Sequence, residues 1–423
     1  AEIHFMTVSV IFLKYSISTI ALRFQKNETQ TTYSCHGEMI MTTQATTAEQ
    51  PMSSSMRWVR WANLAFMLYL LLVAVSVVSG GFKMAVGDQA KTLFEFASHP
   101  IAGLMIGLIA TALTQSSSTT TSITVGLVAG GLPVETAIPM IMGANIGTTT
   151  TNTLVSLGHA RCKEEFRRAF ASATIHDVFN LIAVAIFLPL EIMFGILDRI
   201  SEWLISPIMA AGDMSAANSF NFIKALTGPT ADLFKSVGGM FAPTTGGIVM
   251  IAMGIAIIMI SISVMGKLMR SLMVGRARDI LKAAIGRGPL HGIASGSVVT
   301  ILVQSSSTTT SLMVPLVGTG VLKVREVYPF TVGANIGTCI TALIAATSAS
   351  GEFAVFALQI ALVHLIFNIM ATLFIFGIPF MRELPIKGAF WLGELAAKSK
   401  MAVVAYLSTV FVLVPGVILA FTA

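Results

Sequence analysis

The sequence predicts an all-α integral membrane protein built from two related halves, and three observations carry that prediction. Of the 423 residues, 55% are hydrophobic and only 11% charged, less than half the roughly 25% of an average soluble chain. The mean hydropathy is +0.82, and several apolar runs reach the ~20 residues that a helix needs to cross a bilayer core, without the period-two alternation of a membrane barrel. Finally, three polar motifs occur twice, in the same order, which marks an internal repeat.

The opening of the chain differs from the rest. Residues 1–22 are apolar with one lysine, whereas 25–56 are rich in Thr, Ser and Gln, the composition of a disordered leader. No A-x-A-like cleavage site is evident. Residues 1–56 are therefore read as a leader or an upstream translation artefact, with Met52 or Met56 as a natural start.

The first repeat occupies 57–194. Arg57 and Arg60 precede a span at 62–79, and two short apolar arms at 100–114 and 122–132 bracket Gln115–Thr121. A span at 135–157 precedes Arg161, Lys163, Arg167 and Arg168, and another covers 169–194. The stretch 195–242 is mixed in charge and reads as an extracytoplasmic loop. The second repeat, 243–380, begins with a span at 244–266, followed by Lys267, Arg270, Arg276, Arg278, Lys282 and Arg287. Short arms at 289–303 and 311–322 bracket Gln304–Thr310, with further spans at 327–347 and 354–379. Residues 381–423 form a linker and one extra C-terminal span.

Basic residues near span ends mark the cytoplasmic side. That rule threads the chain consistently only if each pair of short arms enters and leaves on one side. An arm of 12–15 residues rises about 20 Å, too short for a core of about 30 Å, so the arms are expected to be re-entrant hairpins. The first repeat then begins inside and the second outside. Inverted repeats of this kind are the architecture of many secondary transporters. The net charge of +6 is used up by this topology, and no nucleic-acid footprint remains.

Three paired motifs carry the chemistry. QSSSTTTS runs over Gln115–Ser122 and Gln304–Ser311. A hairpin tip exposes the first N–H groups of its returning helix, which with the helix dipole favour an anion. Serine and threonine hydroxyls add donors, and with backbone carbonyls they also suit a hard cation such as Na⁺. Helix packing is the other use of such residues in a membrane, but polar groups at mid-depth normally serve function. No Gly-x-Ser-x-Gly elbow or activating base surrounds the serines, so catalysis is not expected. The second motif is GANIGT, at Gly143–Thr148 and Gly333–Thr338. Its glycines are expected to break both helices and free carbonyls for a cation beside Asn145 and Asn335, or else to pack as small residues. The third is H-x-x-F-N, at His176–Asn180 and His364–Asn368, where the i, i+4 pairs suit interhelical hydrogen bonds. Asp177 lies inside a span and its repeat counterpart is Leu365. An intramembrane acid suggests function, here cation binding, with a salt bridge or an interfacial position as the alternative.

The paired QSSST segments, the GANIGT segments and FRRAFASATIHDVFN (Phe166–Asn180) resemble the type II sodium–phosphate cotransporter family, over about residues 57–420. The resemblance implies symport of inorganic phosphate with several Na⁺ by alternating access, and no cofactor. It implies that Ser116, Ser117, Ser118, Ser305, Ser306 and Ser307 bind phosphate, and that Gln304, Ser305, Thr308, Thr338 and Thr341 hold one sodium. Asp177, Gln115, Asn145 and Asn335 complete the expected sodium ligands. Family members that keep an Asp after the His of A-x-A-x-x-H-D are electrogenic, and Ala171, Ala173, His176 and Asp177 match that segment. The loop 195–242 lacks the cysteines of the animal relatives, and no soluble domain follows the last span. These departures suggest a bacterial inner-membrane protein with a cytoplasmic N-terminus and a periplasmic C-terminus. A homodimer stays open, as do a carrier of another oxyanion or dicarboxylate and a channel or export module.

Overall fold

Membrane helices form where a long apolar run must satisfy its backbone internally, and the computed structural model is helical accordingly. It describes residues 54–86, 99–210, 214–284, 287–349 and 353–422. The leader up to Ser53, and the side chains of Arg270, Arg276, Arg278 and Lys282, lie outside the described residues. Among the described residues, six helices are long and apolar enough to cross a membrane, within Ser55–Ala85, Lys163–Phe194, Pro243–Met269, Val324–Ala346, Ala354–Phe376 and Lys400–Thr422.

In chain order, the first half holds α1 (Ser54–Val86), α2 (Pro100–Thr114), α3 (Ser117–Ala129), α4 (Val134–Gly147), α5 (Thr150–Ser156) and α6 (Lys163–Phe194). Then come α7 (Ile196–Ala210) and α8 (Met214–Gly238). The expected loop at 195–242 is thus helical over most of its length. The second half holds α9 (Pro243–Ala284), α10 (Pro289–Val303), α11 (Ser306–Ser311), α12 (Met313–Gly318), α13 (Val324–Ala346) and α14 (Ala354–Ala371). α14 runs on into a π turn, Thr372–Phe376. The chain closes with α15 (Pro379–Lys398), α16 (Lys400–Ser408) and α17 (Val414–Thr422), the last two joined by a π turn at Thr409–Leu413.

The packing is reciprocal. α1 and α9, the opening helices of the two halves, make the most extensive helix pair among the described residues. A side chain at Gly247 would collide with the Gly81 carbonyl and with Ala85, so the backbones meet through small residues, as helices without a hydrophobic drive between them do. Within each half, the first short helix lies along the GANIGT helix, α2 on α4 and α10 on α13. Across the halves, the helix after each serine turn packs on the other half: α3 on α13 and α14, α11 and α12 on α5 and α6. One continuous apolar core of Leu, Ile, Val, Phe and Met joins both halves, while Phe66, Ile192, Leu373, Trp391 and Phe421 face outward.

GANIGT does not break both helices. α4 ends at Gly147 and α5 starts at Thr150, but α13 runs unbroken from Val324 through Gly333–Thr338 to Ala346. The glycines serve contact instead: a side chain at Gly143 would strike the Leu104 carbonyl, and one at Gly333 the Ile293 carbonyl. The halves diverge at the two residues just past the motif. Thr149 and Thr150 donate their hydroxyls to the carbonyls of Ile146 and Gly147 at 2.9 and 2.7 Å, diverting acceptors of the first helix's last turn. Cys339 and Ile340 stand at those places in the second half and offer no such pair of hydroxyls.

Candidate functional site

Each short-helix pair is joined through one glutamine in the left-handed conformation. Gln115 has φ 54 and ψ 26, Gln304 φ 55 and ψ 29, and among the described residues they are the two non-glycines at positive φ. That conformation costs about 1–2 kcal/mol for a side chain with a Cβ, so the side chain must return something. Gln115 Nε2 donates to the Ala112 carbonyl and Gln304 Nε2 to the Ile301 carbonyl, both at 2.6 Å, closing helix ends that would otherwise leave acceptors open. Their Oε1 atoms accept from Thr151 at 2.7 Å and Thr341 at 3.0 Å. Each glutamine therefore ties its turn to the GANIGT-derived helix beside it.

The serine after each glutamine is extended and caps the next helix. Ser116 accepts from the Thr119 backbone N–H, and Ser305 from that of Thr308, both at 3.2 Å. The cap and threonine hydroxyls lie 3.0 Å apart in both turns. By helix geometry the N–H groups of the two positions between, Ser117 and Ser118 or Ser306 and Ser307, point out of the helix end. These four serines are buried. The second turn also reaches into the first half: Ser307 donates to the Thr148 carbonyl at 3.3 Å, and Asn152 and Thr310 exchange hydrogen bonds at 2.9 and 3.0 Å. Buried donors, hydroxyl acceptors and a helix end thus converge twice, which is the donor chemistry of an oxyanion beside hard-cation ligands.

The expected sodium ligands divide into groups. Gln304 with Thr341, and Ser305 with Thr308, stand together at one turn, with Thr338 buried one helical turn before Thr341. Gln115, Ser116, Thr119 and Thr151 repeat this arrangement at the other. Asn145 and Asn335 do not belong with them. His176 Nε2 meets Asn335 Oδ1 at 2.6 Å, and Asn335 Nδ2 donates to Asn180 at 2.8 Å. In mirror fashion His364 Nε2 meets Asn145 Oδ1 at 3.2 Å, and Asn145 Nδ2 donates to Asn368 at 3.0 Å. Both amides are committed to protein partners because a buried amide without them would carry a large desolvation cost. Both asparagine side chains are thus engaged in interhelical bonds, and each half's His–Asn pair grips the other half's asparagine.

The Asp177 carboxylate neighbours the Thr149 side chain, next to the Thr148 whose carbonyl takes the Ser307 hydroxyl. It is buried at 1% exposure, and its Oδ2 accepts from the Tyr406 hydroxyl at 2.8 Å. No ion pair of Asp177 is present among the described residues. Tyr406, Asn152 and Thr310 are the partners that sequence reasoning missed. The two polar partners Asn152 and Thr310 lie 158 positions apart, and a lone tyrosine in an apolar span was the single sign of the third.

Fold and site together define a multi-pass helical membrane protein whose duplicated serine turns each lead into helices packed on the opposite half. The chain belongs to the Na+/Pi-cotransporter family, which it matches over residues 70–204 and 257–383. It is 32% identical over 419 residues to sodium-dependent phosphate transport protein 2A of Rattus norvegicus, covering 83% of this chain and 66% of that protein. It is 34% identical over 424 residues to the 2A protein of Ovis aries, with the same coverage. With sodium-dependent phosphate transport protein 2B of Homo sapiens it shares 32% identity over 435 residues, covering 82% of this chain and 63% of that protein. The chain thus spans about two-thirds of the length of these relatives. No solved structure matches it.

Proposed function

We propose that this protein is a secondary active transporter that carries inorganic phosphate together with sodium. The reading rests on one observation above all: two buried serine turns of the same geometry, each packed on the opposite half, in a chain whose relatives are sodium-dependent phosphate transport proteins. Ser116–Ser118 and Ser305–Ser307 would present hydroxyl and backbone donors to phosphate. Gln304, Ser305, Thr308, Thr338 and Thr341 would surround one sodium, and Gln115 heads the matching set in the first half. Sodium is required on physical grounds, because a divalent anion in a low-dielectric site is costly without accompanying cations.

In this reading the short pairs are re-entrant and the halves inverted, so the two turns reach one central site from opposite faces. At 15 residues each, α2 and α10 rise about 22 Å, less than the hydrocarbon core. Alternating access then exposes the shared site to either side, Asp177 adds a carboxylate that makes the cycle electrogenic, and the setting is a bacterial inner membrane. Radiolabelled phosphate uptake into proteoliposomes tests it. Uptake is expected with an inward Na⁺ gradient and not with choline, and to be competed by arsenate but not by sulfate or succinate. Equal uptake in Na⁺ and choline overturns the coupling, and competition by succinate turns the substrate into a dicarboxylate.

A further inference from the structure

Beyond the break after GANIGT, the chain departs from its own repeat at Asp177 and in its last span. Asp177 has no acidic counterpart, since Leu365 stands there, and the C-terminal span has no equivalent in the first half. The structure joins these two exceptions in one hydrogen bond, from the Tyr406 hydroxyl to Asp177 Oδ2 at 2.8 Å. Tyr406 lies beyond residue 383, where the family match ends.

The surroundings fix both ends of this bond. The Tyr406 ring packs edge-on against Phe170 and Phe411, with centroids 6.3 and 6.4 Å away, and Phe411 belongs to the π turn after α16. Phe170 is in turn edge-on to Phe166, within a small apolar cluster shared by α6, α15 and α16. Asp177 Oδ1 is buried and has no partner of hydrogen-bond geometry; the Thr149 side chain lies beside the carboxylate, but its hydroxyl donates to the Ile146 carbonyl. A phenol held at one carboxylate oxygen removes rotation about the side chain's last bond and leaves the other oxygen as the remaining acceptor. Two open oxygens would let the carboxylate turn and would share a cation between poses.

We propose that Tyr406 is a positioning residue for the cation step: it holds Asp177 so that Oδ1 is the oxygen offered to sodium. The last span is thereby a working part of the transporter and not only an anchor. This inference rests on the sodium-coupled reading above and deepens it by naming the residue that orients its carboxylate. Phosphate contacts neither residue in this scheme, so the effect belongs to sodium alone.

The test is Tyr406→Phe, which keeps the ring and its packing and removes the hydroxyl. Loss of one hydrogen bond to a charged group should raise the half-saturating Na⁺ concentration about ten-fold, with maximal uptake and the phosphate KM at saturating Na⁺ held near the parent. In an Asp177→Asn background the same change should have no further effect, because Tyr406 acts through the carboxylate. An unchanged Na⁺ dependence in Tyr406→Phe overturns the proposal, and so does an equal shift in the Asp177→Asn background. A second readout is independent of transport: the Na⁺-dependent rise in Tm of the purified protein over choline, expected to need about ten-fold more Na⁺ in Tyr406→Phe. Should the parent show no Na⁺-driven phosphate uptake, the functional reading falls, and this shift alone decides the role of Tyr406.

Discussion

Asp198 shows how a single side chain can be read for its chemistry and its cost. Its Oδ1 accepts from Gln359 at 2.9 Å, yet burial first, and the acids Glu135 and Glu202 next, push its carboxyl above the usual range against the pull of Arg199. A folded-state value above the unfolded one means the folded chain binds the proton more tightly. The charged form therefore weakens the fold at neutral pH, and that penalty is relieved as pH falls through the folded value. Asp198→Asn keeps the acceptor and removes the charge. It is expected to raise Tm at about pH 7.5 and to shrink the difference in Tm from about pH 5. A lower Tm for the variant at neutral pH would show the carboxylate to be stabilising after all. The opposite case is Glu383, partly exposed, whose carboxyl is held below its usual range by the two 2.6 Å bonds from Arg325, a pairing of α13 with α15 at the surface. Neither environment was fully visible in the order of residues, because Gln359, Glu135 and Arg325 come from separate elements.

At the scale of elements, the serine turns were the most legible part of the chain. A polar octet repeated between short apolar arms foretold a helix break, and the break falls where it was expected, at Gln115 and Gln304. The turn itself makes a sharp prediction, since backbone and side chain pull in different directions. Gln304→Gly relieves the left-handed strain and Gln304→Ala retains it, but both lose the bonds to Ile301 and Thr341. If the side chain is what the turn needs, both variants lose Na⁺-dependent uptake, with glycine the more stable by about 1 kcal/mol. Full activity in Gln304→Gly would show that only the conformation matters. The GANIGT helices were less legible. Glycine in a helix costs about 1 kcal/mol and invites a break on paper. In both halves the glycines admit a neighbouring backbone, and in α13 no pair of hydroxyls follows the motif to divert its acceptors, Cys339 and Ile340 standing where the first half has Thr149 and Thr150. A single sequence does not reveal a neighbour's backbone, and so it does not reveal that these glycines serve contact.

Across the whole molecule the duplicated motifs marked the two halves, but not how they would exchange partners. The H-x-x-F-N spacing pointed to interhelical bonds; that each pair would hold the asparagine of the opposite half required the packing of α6 and α14 on both GANIGT helices. This exchange bears on how the protein is made. Synthesis delivers the first half to the membrane with the side chains of His176 and Asn145 lacking the partners they find in Asn335, His364 and Asn368, and with Asn180 holding only the Asn145 carbonyl. Until the second half is inserted, those buried amides have no stable home in lipid, and the nascent half is a substrate for membrane quality control. Expressed alone, residues 54–238 are expected to be degraded within minutes, whereas co-expression with 239–423 should rescue them. A long-lived, protease-resistant first half would show instead that it matures by itself. Cutting the chain between its halves is then expected to be tolerable only while both pieces share one membrane, so that biogenesis depends on the pairing.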